Sequence, residues 1–133
     1  GLPSSYEDIV LFTKTLEEIL ADKLEAFACS THIRYRDIWD MQWLMRRPTI
    51  DLEEACVLRM RKEIDYNETK TFAKGVLRLR KELPQIIEGE EFTRQMKRFL
   101  PLDQFDRTIG RAPFRAALIE NMRELYERCT ASF

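Results

Sequence analysis

The chain has 133 residues, 44% of them hydrophobic and 34% charged, with four glycines and five prolines, which describes one folded, helix-rich domain and excludes a disordered or fibrous protein. A formal net charge of −1 excludes a global field that would steer the molecule to nucleic acid or membrane, and no apolar run approaches the ~18–20 residues of a membrane span. The three cysteines, Cys29, Cys56 and Cys129, are widely spaced with no Cys-x-x-Cys pair, a pattern that predicts reduced thiols in a cytoplasmic protein and neither a zinc site nor a disulfide.

The chain opens Gly-Leu-Pro rather than with Met, as an excised fragment or a cleaved tag would, and no signal-peptide pattern follows. Residues 1–14 contain a short β-prone run, Ile9-Val-Leu-Phe-Thr13, with no clear strand later in the chain to pair with. It is either the last strand of a sheet lying upstream or an extended arm packed on helices.

From residue 15 the pattern is helical. Thr15 and Glu18 match a capping box, and Leu16, Ile19, Leu20, Leu24 and Phe27 recur at helical spacing as far as Cys29. After a short connection a second helix is predicted from Tyr35 to Met45, with Pro48 marking its end. Asp51 and Glu54 offer another capping box for a helix to Ile64, and Asp65-Tyr66-Asn67 reads as a turn. A helix from Glu68 is expected to stop at Pro84, and one from Glu90 to Phe99 to close before Pro101. Residues 102–112 predict a helical turn around Phe105 and Ile109 ended by Gly110, and Pro113 suits the first turn of a last helix to Cys129. The fold class is all-α: an irregular bundle of five to seven helices over residues 15–133.

Three groups of residues could carry chemistry. At about 100° per residue, Lys23 falls on the apolar side of the first helix with Leu16, Ile19, Leu20 and Phe27. Such a lysine is either a phosphate ligand at a cleft, acting as a point charge, or a snorkelling or carboxylate-paired structural residue. Glu18, Asp22 and Glu25 are its nearest acidic neighbours in sequence. Asp37 and Asp40 are three apart, hence on one helix face, and Arg34 and Arg36 flank Asp37, with Arg36 in i,i+4 reach of Asp40. They serve either as a capping aspartate with an Arg–Asp pair, or as carboxylates that orient Lys23 or a substrate hydroxyl across the helix contact. Lys70, Lys74, Arg78 and Lys81 line one side of a helix opposite Phe72, Val76, Leu79 and Leu83. This basic stripe is either an RNA-backbone contact or a solvated face. Trp39 and Trp43 stand at helical core spacing and are poor candidates for base stacking, and the lone His32 has no Ser or Cys placed beside it.

The segment Leu16-Glu-Glu-Ile-Leu-Ala-Asp-Lys23-Leu-Glu-Ala, a short gap, then Arg36-Asp37-Ile-Trp-Asp40-Met-Gln-Trp-Leu44 resembles the helical half of the AbiEii/AbiGii nucleotidyltransferase toxins of type IV toxin–antitoxin and bacterial phage-defence systems. The resemblance implies transfer of a nucleotide from an NTP to an RNA or other acceptor, and a cognate antitoxin as partner. By position it implies Lys23 on the nucleotide phosphates and Asp37 and Asp40 shaping the cleft, and Arg34 and Arg36 beside them are further candidate substrate contacts. The Gly-Ser turn and Asp-x-Asp pair that hold Mg²⁺ in that family do not occur in this sequence. The expectation is therefore a C-terminal helical part without a metal site of its own, inactive alone, with Ile9–Thr13 as the last strand of the other half. The competing expectation is a free-standing helical module that binds protein or nucleic acid without catalysis.

Overall fold

The computed structural model describes residues 14–66 and 69–130, and only the backbone of 64–66, 69 and 70. Among the described residues there are seven α-helices and no strand: α1 (Leu16–Cys29), α2 (Tyr35–Met45), α3 (Leu52–Tyr66), α4 (Thr69–Glu88), α5 (Glu90–Phe99), α6 (Leu102–Arg107) and α7 (Ala112–Thr130). The all-α expectation is met, while the run Ile9–Thr13 lies outside the described residues.

The predicted helix starts rest on the interactions that suggested them. Thr15 Oγ1 accepts the Glu18 amide at 3.2 Å, and Asp51 Oδ1 accepts the Glu54 amide at 3.0 Å, each satisfying a donor that the helix itself leaves unpaired. Two boundaries differ. Asp65 and Tyr66 extend α3 instead of forming a turn, and α4 runs through Pro84 to Glu88. Pro84 removes one backbone donor, a loss set against the burial of Leu83 and Ile87, which lie four apart in the core at 2% and 0% exposure.

α1 is the central strut, packed by α2, α3 and α4, while α7 closes the bundle against α2, α3 and α4, and α5 covers α2 and α4. One apolar cluster runs through all of them, from Leu20, Leu24 and Ile38 to Phe92, Met96, Leu118 and Met122. Two features fix how α4 crosses α1. A Cβ on Gly75 would lie 1.9 Å from the Ala28 carbonyl oxygen, so only glycine allows the backbones so close. One turn on, Arg78 Nη2 donates to the carbonyls of Ser30 at 2.9 Å and Ala28 at 3.4 Å, supplying donors to the exposed C-terminal end of α1.

The core also holds charge. Arg59 has no exposed surface; its Nη1 lies 3.1 Å from Glu25 and 2.9 Å from Glu63, and its guanidinium stacks 3.6 Å above the Phe72 ring. Three helices are thereby joined through one side chain. The Cys29 thiol donates to the second oxygen of Glu25 at 2.8 Å. Cys56 of α3 and Cys129 of α7 are joined in a disulfide with their Cα atoms 4.9 Å apart. This corrects the expectation of three reduced thiols, since a separation of 73 positions carries no spacing motif.

Gly75→Ala is expected to destabilise the fold by about 1–3 kcal/mol or more, because a backbone oxygen cannot yield as a flexible side chain can; urea unfolding monitored by circular dichroism measures it. Arg59→Leu is expected to cost about 3–5 kcal/mol by leaving two buried carboxylates without their cation. Adding Glu25→Gln and Glu63→Gln to it should recover part of that loss in the same experiment.

Candidate functional site

The site begins where α1 passes α2. Capping fixes the start of α1, and α2 starts at Tyr35 after the loop 30–34. This brings the Lys23 ammonium to Asp37 Oδ1 at 3.0 Å and Asp40 Oδ2 at 3.2 Å. The other oxygen of Asp37 faces Arg34 Nε at 3.4 Å. Asp37 is buried, with 7% of its side chain exposed, while Lys23 keeps 26% and Asp40 31%. The ammonium is thus held from one side and open to solvent on the other. Partial burial draws the Lys23 pKa down, but the hydrogen bond and charge of Asp37, then those of Asp40, outweigh it, so the group titrates above its ordinary 10.5.

Its acidic neighbours in sequence go elsewhere. Asp22 pairs with Lys14 and Lys62, and Glu25 pairs with Arg59. Burial raises the Asp22 pKa, but the two lysines more than reverse this and hold it below the usual 3.8. Arg36 is not on Asp40 either: its guanidinium lies 4.0 Å over the Phe99 ring, and Asp40 is bound by Lys23.

Lys23, Arg34, Arg36, Asp37 and Asp40 all line one open cleft of about 610 Å³, a size that suits a small-molecule ligand. The expected residues are therefore brought together. Sequence reasoning missed the opposite wall, where Glu91 and Gln95 of α5 face the cleft and Gln95 Nε2 donates to Glu91 at 2.9 Å. It gave no site role to His32, Ile33 and Tyr35, which complete the lining. No local signal places α5 across from α2, because that juxtaposition arises from long-range packing.

The basic stripe lies opposite the buried Phe72, Val76, Leu79 and Leu83, and its members differ in what they touch. Lys74 and Lys81 are exposed, Arg78 turns inward to the end of α1, and the side chain of Lys70 is outside the described set. Arg59, on the preceding helix, is in the core. Trp43 departs from its core spacing in the other direction and is 47% exposed.

The model of the nucleotidyl transferase AbiEii toxin family, from type IV toxin–antitoxin systems, matches residues 2–123. The chain belongs to that family. No match to it was found among curated proteins or solved structures. The Mg²⁺ that the resemblance implies would find no ligand set among the described residues. Among the described residues no group of three or more His, Cys, Asp or Glu side chains comes together as a ligand set, and the cleft's Asp37 and Asp40 are both engaged by Lys23. None of the described helices is long and apolar enough to cross a membrane.

The raised Lys23 pKa fixes a pH dependence. Folding favours the charged lysine, so its contribution is complete below the unfolded value of 10.5 and is lost as pH rises through the higher folded value. The difference in unfolding free energy between wild type and Lys23→Met is expected to stay constant through neutral pH. It should shrink only above pH 10.5, measured by urea titrations across that range.

Proposed function

We propose that this chain is the helical part of a nucleotidyltransferase toxin and that its cleft receives the nucleoside triphosphate. The single observation that supports this is the Lys23 ammonium, clamped by Asp37 and Asp40 yet open to a cleft that also carries Arg34 and Arg36. Phosphoryl chemistry depends mainly on positioning and charge neutralisation, and a cation held in place before substrate arrives loses little freedom on binding it. Arg34 and Arg36 lie two residues apart at the start of α2 and add two further donors for phosphate oxygens.

In this reading the roles divide by burial. Asp37, the buried carboxylate, positions Lys23, and Asp40, at the rim, is the one able to meet a substrate hydroxyl. The Mg²⁺ of the family chemistry would be held by carboxylates of a separate nucleotidyltransferase half. Residues 15–133 alone would then bind but not transfer. The acceptor would be RNA, with Lys74 and Lys81 as outlying backbone contacts, and a cognate antitoxin would be the protein partner in the cytoplasm.

The test is transfer of labelled nucleotide to total RNA and protein by the native-length gene product. Wild type is expected to incorporate label with Mg²⁺, and Lys23→Ala to lose about 10²–10³-fold, the scale of removing one preorganised charge. Asp37→Asn, tested alongside, should lose activity through misplacement of Lys23. Full turnover by folded Lys23→Ala would remove Lys23 from the mechanism. No transfer from folded wild type with any of the four nucleotides would favour a binding module without catalysis.

A further inference from the structure

The face of α2 that presents Asp37 and Asp40 continues beyond them. Trp43 lies three residues past Asp40, on the same side of the helix. Lys23, Asp40 and Trp43 share a hollow of about 230 Å³ beside the cleft, and Trp43 also lines an adjoining groove of about 350 Å³ with Trp39, Arg46, Arg47 and Phe114. A continuous surface therefore leads from the Lys23 ammonium to the end of α2.

Trp43 leaves 47% of its surface open, an exposure that forgoes much of what a buried indole contributes. Its ring is nonetheless held: the Arg47 guanidinium lies 4.1 Å over it, and Arg47 Nε donates to the Trp43 carbonyl at 3.1 Å. Behind it Trp39 packs on Phe114 with ring centroids 6.2 Å apart. The groove is lined by two guanidiniums and by no carboxylate.

A fixed, half-exposed indole flanked by two arginines matches a ligand with flat π faces and a regular anionic backbone. We infer that the groove of Trp43, Arg46 and Arg47 is a binding site for an unpaired nucleic-acid strand, stacked by a base on Trp43, whose end is directed to the Lys23 cleft. The purpose given to that strand, that of acceptor, rests on the nucleotidyltransferase reading above. Double-stranded nucleic acid does not suit the site, because its base faces are already stacked on one another. Aromatic stacking tolerates any base, so the site reads strandedness and charge rather than sequence.

The experiment uses the 133-residue chain with Trp39→Phe, which leaves Trp43 as the sole indole, titrated with a short unpaired oligoadenylate RNA at low salt. Saturable quenching of Trp43 emission is expected. With labelled RNA, Trp43→Ala should weaken binding about tenfold or more, whereas Trp43→Phe, which keeps an aromatic face, should retain most of it. Arg46→Gln should reduce the slope of log affinity against log salt by about one. Absence of quenching, equal binding of a duplex of the same length, or unchanged affinity in Trp43→Ala would each overturn the site. So would a Trp43 already shielded in the native-length product, since a protein surface would then be its occupant. The transfer assay separates the two claims: strand binding without nucleotide transfer retires the transferase reading and leaves the groove, while transfer indifferent to Trp43 does the reverse.

Discussion

A guanidinium with no exposed surface sits where three helices meet, and the arrangement of the domain depends on it. Arg59 comes from α3, Glu25 from α1, and the Phe72 ring beneath it from α4. A charge can be kept out of water only where partners replace its hydration, so the three helices have few relative positions that leave it satisfied. α1 is the helix most constrained by this, and α1 carries Lys23 two residues before Glu25. The buried network therefore fixes the strut from which the cleft lysine projects, although the two lie on different sides of that strut.

The second constraint works at the end of the same helix. Gly75 lets α4 lie against the carbonyl of Ala28, and Arg78 meets the last carbonyls of α1. The short loop 30–34 starts from that anchored end, and α2 is delivered with Asp37 and Asp40 turned toward Lys23. The Lys–Asp–Asp cluster is thus held from both flanks, by the core charge on one and the capped helix end on the other. Preorganisation of this kind is what a site that works by charge placement needs.

Much of this was legible in the sequence, for identifiable reasons. α2 and α5 begin and end where the residue pattern places them because prolines and apolar spacing act locally. Lys23, Asp37 and Asp40 could be singled out because charges in line with an apolar stripe demand an explanation, and their sharing of one cleft follows from two adjacent helices. What escaped was non-local. Pro84 looks like a stop signal until Ile87 is seen in the core. Arg59 looks like surface charge, since Glu25 is 34 residues away. Trp43 sits at core spacing, yet spacing defines only a helix face and not whether another element covers it. Glu91 and Gln95 joined the cleft through the packing of α5 on α2, which no window of sequence contains. The Cys56–Cys129 bond, closing 73 positions, is illegible for the same reason.

The hydrogen bond from the buried Tyr126 hydroxyl to the Leu24 carbonyl, at 2.9 Å, ties α7 to α1 across 102 positions of chain. Burial drives the Tyr126 phenol well above its ordinary pKa of 10.0, so it remains a donor at any physiological pH. During synthesis, Lys23, Asp37 and Asp40 leave the ribosome long before Tyr126 does. A product ending between Gln95 and Ala112 would carry every residue of the cleft, yet lack the helix that seals α1 into the bundle. Sealing of α1 against α7 therefore waits on the 102 positions of chain that separate Leu24 from Tyr126.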